Sequence, residues 1–176
     1  MTGSIFDADA HCWSGLLSGR KFAWQKGLRE VSLGIGGVQF HPSHEDLSGY
    51  QDWRKVADAA IARKAEGLLL IGHSNGVYAI TAVAEYLAQK NSPIKCVLAG
   101  FDQTKKPCPY MGKNVVAAIE IWAGLNRMKM GDDFAGAFET HPEFRPDSHI
   151  GVISNPKAQR LVVDFALRWK HVWGRP

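Results

Sequence analysis

The stretch from Leu68 to Ile80, read as LLLIGHSNGVYAI, constrains the fold of this chain more than any other. An unbroken aliphatic run from Leu68 to Ile71 meets the turn Gly72-His73-Ser74-Asn75-Gly76, and Val77, Ile80, Thr81, Ala84 and Leu87 follow at helical spacing. Such a run reads as a buried strand and such spacing as one face of a helix, so the turn must reverse strand into helix within a few residues. Gly72 and Gly76 lack the Cβ atoms that would collide in so tight a reversal.

A G-x-S-x-G match is a weak signal by itself, and a tight strand-to-helix turn serves many α/β proteins. Its confirming context is a buried strand before and a helix after, and both are written here. A serine on such a turn stands clear of the sheet. The helix behind it aims backbone N–H groups and a positive dipole end at the place where charge develops in acyl transfer.

The rest of the chain supplies a matching frame. Trp53, Val56, Ala57, Ala60 and Ile61 form a helix stripe, with a helix end expected near Gly67. Ile94 to Phe101 reads as a buried strand and Val115 to Trp122 as a further strand with a helix as its alternative, Val38 to His41 as a short strand stopped by Pro42, and Phe134 to Thr140 as the last. Lys157 to Trp173 reads as one amphipathic helix carrying Leu161, Phe165 and Trp169 on a stripe. In the first thirty-odd residues the pattern is poor: Ser4 to Phe6 suggests a strand, Asp7 to Gly19 a loop, and Lys26 to Leu33 a helix ending near Gly34. Strands alternating with helices imply a mostly parallel sheet covered on both faces, with chemistry at the carboxyl ends of the strands.

Composition narrows the class. The 176 residues suit one domain, 1–176, and 45% hydrophobic with 22% charged residues is ordinary globular usage. No apolar run is long enough to span a bilayer, and residues 1–7 lack the pattern of a secretory signal, so a cytoplasmic protein is expected. Three cysteines, Cys12, Cys96 and Cys108, lack metal-type spacing, and Cys96 sits in an apolar segment as a core residue. The formal charge of +4 is spread along the chain without interleaved aromatics. That pattern argues against nucleic-acid binding and leaves a mild preference for an acidic substrate.

A serine needs a base to remove its proton, and the base works best when a carboxylate fixes its tautomer. His149, in the loop before the last helix, is the favoured base, with His141 as the alternative. Asp102, directly after an apolar strand, is the favoured acid, with Asp132 and Asp133 as alternatives. His73 points away from the turn and reads as a packing residue or a pocket wall, while His11, His41, His44 and His171 are unassigned; no metal site is indicated.

The order Ser74, Asp102, His149 is that of the α/β hydrolases, and the chain resembles a small, lidless bacterial member of the thioesterase-like or lipase-like group. Gly72-His73-Ser74-Asn75-Gly76 matches the nucleophile elbow, Phe101-Asp102-Gln103-Thr104 is similar to the acid-bearing segment, and Asp147-Ser148-His149-Ile150-Gly151 to the base-bearing one. The likeness runs from about Val38 to Trp169, and residues 1–36 match poorly, as in a shortened N-terminal part. It implies a three-layer α/β-hydrolase-like fold and a Ser-His-Asp enzyme acting on a small ester or thioester substrate without a cofactor. Asn75 would give its backbone N–H to the oxyanion, Thr104 would line the pocket, and the second oxyanion donor is unassigned because no His-Gly loop follows an early strand. An impaired binding or scaffold protein and an acyltransferase are the competing readings. A sheet edge left open by a short N-terminal part would suit a homo-oligomer.

Overall fold

The computed structural model describes residues 10–14, 23–36, 39–42, 51–74, 76–103, 111–123 and 136–174. Within them six strands form one sheet: β1 Ala10–Ser14, β2 Gln39–Pro42, β3 Gly67–His73, β4 Lys95–Phe101, β5 Val115–Ile121 and β6 Ala137–His141. Their spatial order is β2-β1-β3-β4-β5-β6, and every pairing is parallel. The helices are α1 Ala23–Ile35, α2 Gln51–Ala62, α3 Gly76–Gln89, α4 Pro156–Arg168 and the short α5 Lys170–Trp173.

Strand alternation sorts the core into two halves. Leu69, Ile71, Val97, Ala99, Phe101, Ala117, Ile119 and Ile121 face one side, where Leu28 and Val31 of α1, Val162 and Phe165 of α4 and Trp173 of α5 close over them. Leu68, Leu70, Cys96, Leu98 and Ala118 face the other, under Val56, Ala57 and Ala60 of α2 and the apolar face of α3. Strands buried on both faces have no polar side to show, which is why β3 and β4 appear as continuous apolar runs. The result is a three-layer architecture with the sheet between two helical layers.

Several expectations need correction. Residues 10–14 were expected in a loop and form β1 instead, held in a backbone ladder between β2 and β3. Gly67 begins β3 rather than ending a helix; α2 stops at Ala62, and a Cβ at Gly67 would lie 2.0 Å from the Val172 carbonyl oxygen. The last helix is two: α4 ends at Arg168 and α5 restarts at Lys170, with Trp173 Nε1–H donating to the Ala166 carbonyl at 3.0 Å across the break. Ile61, placed on the buried stripe of α2, is 37% exposed. The strand expected at Ser4 to Phe6 lies outside the described residues.

Candidate active site

The turn after β3 has the shape its glycines predict. A Cβ on Gly72 would lie 2.5 Å from the carbonyl carbon and oxygen of Gly76 and 2.7 Å from the Val77 nitrogen, so β3 and the first turn of α3 approach backbone to backbone. Ser74 between them has φ 57°, the left-handed region that a non-glycine residue seldom adopts. Its N–H donates to the Phe101 carbonyl at 3.0 Å, and its own carbonyl accepts from Val77 N–H at 3.1 Å. The serine is thus fixed at the junction of β3, β4 and α3.

The same kind of bend recurs one strand over. Asp102 follows β4 at φ 44°, its N–H donating to the Ile121 carbonyl at 2.8 Å. Its carboxylate is buried and engaged on both oxygens: Oδ1 accepts from Ala123 N–H at 3.0 Å, and Oδ2 accepts from His149 Nδ1–H at 2.6 Å. A carboxylate only accepts, so the proton of a neutral His149 sits on Nδ1 and its Nε2 carries the free lone pair. That is the tautomer a general base requires.

Of the two roles expected for His73, its surroundings are those of a packing residue. Fully buried at the end of β3, it donates Nε2–H to the His149 backbone carbonyl at 2.9 Å, and the two imidazoles stack with centroids 4.8 Å apart at 30°. Burial pulls its pKa down from 6.5 to about 3, against the opposing pull of that hydrogen bond. An unfolded chain would take up this proton as pH falls below 6.5, while the folded form stays neutral until about 3. Stability carried by His73 is therefore complete above pH 6.5 and drains away as pH falls towards 3. At about pH 4.5 the loss amounts to about 2–3 kcal/mol. Unfolding free energies from urea denaturation at neutral pH and at about pH 4.5 should fall by about 2–3 kcal/mol less in His73→Gln than in the parent.

The remaining candidates separate. Gly72 and Gly76 lie in the turn between β3 and α3, whereas Asn75, Thr104, Asp132, Asp133, His44 and Cys108 lie outside the described residues. His141 ends β6 and pairs its Nδ1 with Glu143 Oε1 at 3.0 Å, away from the Asp102 carboxylate that His149 occupies. His171 stacks on Trp169 at 5.6 Å, and His11 and His41 lie in β1 and β2. Cys96 is buried and its thiol is pushed up to about 12 by burial, an inert core residue. Among the described residues no cluster of His, Cys, Asp and Glu could hold a metal ion, and no helix is long and apolar enough to cross a membrane.

No family model matches the sequence, and no curated protein does either. Solved structures do. The chain is similar to the esterase domain of a Rhodothermus marinus protein, with TM-score 0.57 at 14% identity over 95% of this chain and 88% of that one. It is also similar to RedJ, described with a polyethylene glycol molecule bound in the active site, with TM-score 0.56 at 15% identity over 92% and 89% of the two chains. At such identities the likeness is one of fold, and the fold is α/β-hydrolase-like.

Proposed function

We propose that this protein is a serine hydrolase that cleaves a small ester or thioester. The observation that carries the reading is the 2.6 Å hydrogen bond between His149 Nδ1 and the buried Asp102 carboxylate, at the end of the sheet where Ser74 sits on its left-handed turn. A structural neighbour named as an esterase domain leans the same way.

In this reading Ser74 Oγ attacks the acyl carbon while His149 Nε2 takes its proton, and Asp102 holds the resulting imidazolium in place. The Asn75 backbone N–H and the N-terminal turn of α3 receive the charge of the oxyanion. Collapse of the tetrahedral intermediate breaks the bond to the alcohol or thiol, which leaves with the proton from His149. Water then enters, loses a proton to His149 and releases the acid, restoring Ser74.

A fluorophosphonate probe tests the assignment directly. Mass spectrometry of the labelled, digested protein should place one phosphonyl group on Ser74, and Ser74→Ala should take up none. Undiminished labelling of Ser74→Ala would remove the serine from its role. Turnover of matched esters and thioesters of increasing acyl length then identifies the substrate class.

A further inference from the structure

His73 carries two contacts that a core histidine does not need. It is the residue directly before Ser74, and both contacts are made with His149, 76 positions away in the chain. We infer that His73 is a positioning residue, which ties the loop carrying the base to the strand carrying the nucleophile. The inference rests on the reading of His149 as general base.

The two contacts restrain different motions. Donation from His73 Nε2–H to the His149 carbonyl at 2.9 Å pins the main chain from which the imidazole springs. The ring stack, 4.8 Å between centroids, limits how far that imidazole can tilt, and Asp102 sets its rotation through Nδ1. The base loop has bonds of its own, Gly151 N–H to Ser148 Oγ at 2.9 Å and Val152 N–H to the Ser148 carbonyl at 3.0 Å. Those close the turn on itself, with Ser148 and Ile150 both exposed on either side of His149. The His73 contacts join that turn to β3.

The chemistry of His73 suits the task. A carbonyl can only accept, so Nε2 carries the proton and Nδ1 is bare; Nδ1 is buried and has no hydrogen-bond partner. A solvated loop could have offered a lysine or an amide to the same carbonyl. A buried imidazole instead stays neutral, so the stacked ring adds no second cation beside His149 when His149 takes the serine proton. It donates one hydrogen bond, supplies a flat face and carries no charge.

Three variants separate these properties. His73→Phe keeps the flat ring and loses the donor, His73→Gln keeps a donor near the Nε2 position, and His73→Asn reaches only the Nδ1 position. The expected result for His73→Phe is a fall in kcat of about ten- to a hundredfold with KM within about threefold, the mark of a misplaced base rather than a damaged pocket. His73→Gln should recover kcat to within about threefold of the parent. Proton NMR should show the low-field His149 Nδ1–H signal shifted or broadened in His73→Phe and close to its parent position in His73→Gln. Should melting by circular dichroism show that His73→Phe does not fold, His73→Asn takes its place with the same expected losses. A variant without a donor at the Nε2 position, His73→Phe or His73→Asn, that keeps kcat within about twofold and leaves the His149 signal unmoved overturns the inference. A parent protein that neither labels at Ser74 nor turns over any ester sinks the hydrolase reading instead. The NMR comparison still decides the positioning role in that case, an unmoved signal overturning it.

Discussion

Asp102→Asn should lower kcat by about 10⁴-fold while leaving the fold intact. Both carboxylate oxygens are committed, Oδ1 to the Ala123 N–H at 3.0 Å and Oδ2 to His149 Nδ1–H at 2.6 Å. An asparagine has one oxygen and one NH₂ to put in their places. With its oxygen on the Ala123 N–H, its NH₂ faces His149 and forces the imidazole into the tautomer with its proton on Nε2. That nitrogen then has no lone pair for the serine hydroxyl. With the amide turned over, NH₂ faces the Ala123 N–H, and two donors meet in a buried site. The first arrangement costs less and is the one expected. The loss of about 10⁴-fold corresponds to about 5 kcal/mol of transition-state stabilisation. Asparagine keeps the shape of the side chain and leaves the geometry of such a site intact, so a melting curve near the parent's separates the chemical effect from unfolding. Steady-state kinetics on the best ester settles the matter: a variant within tenfold of the parent would exclude Asp102 as the partner that sets the base.

What the sequence made legible depended on how local its cause was. The turn from β3 into α3 was legible because its physics is local: a glycine at 72 whose Cβ would collide with the backbone of Gly76, an apolar strand before and a helical stripe after. Strand β4 was legible for a related reason, since a strand covered on both faces is largely apolar, and β5 follows the same rule apart from the buried Glu120. The apolar strand ending at Asp102 and the loop around His149 could therefore be placed at one end of a sheet, and the 2.6 Å hydrogen bond joins two residues 47 apart.

Features caused by distant packing were not legible. Strand β1, with Ala10, His11, Cys12, Trp13 and Ser14, has no aliphatic run, and its ladder to β2 and β3 is a backbone property that side chains do not announce. Gly67 looked like a helix end because glycine suits that place, whereas its actual constraint is the carbonyl of Val172, over a hundred positions on. The break at Trp169 is invisible to a periodic count, because Trp173 keeps nearly the same stripe while turning back to bond Ala166. His73 is the instructive case. Alternation along β3 put it on the opposite face from Gly72, and only the fold shows that the occupant of that face is the backbone of His149.

Gly72→Ala is expected to cost both stability and turnover. Its Cβ would meet the Gly76 carbonyl at 2.5 Å and the Val77 nitrogen at 2.7 Å. All of these are main-chain atoms of the first turn of α3, so no side-chain rotation can relieve the contact. Either α3 moves off the sheet or the turn opens. Overpacking of this kind costs about 3 kcal/mol or more. Ser74 sits inside the loop that must open, held at φ 57° by bonds to Phe101 and Val77, so its Oγ and the N–H groups behind it shift with the helix. A displacement of about 1 Å there costs about a hundredfold in rate. Gly67→Ala is the control, because its Cβ would strike the Val172 carbonyl at 2.0 Å at the opposite end of the same strand. Both variants should lose stability in urea, but only Gly72→Ala should lose kcat per folded molecule, counted by fluorophosphonate titration. Equal losses of kcat in the two would mean that the elbow's close approach serves stability alone.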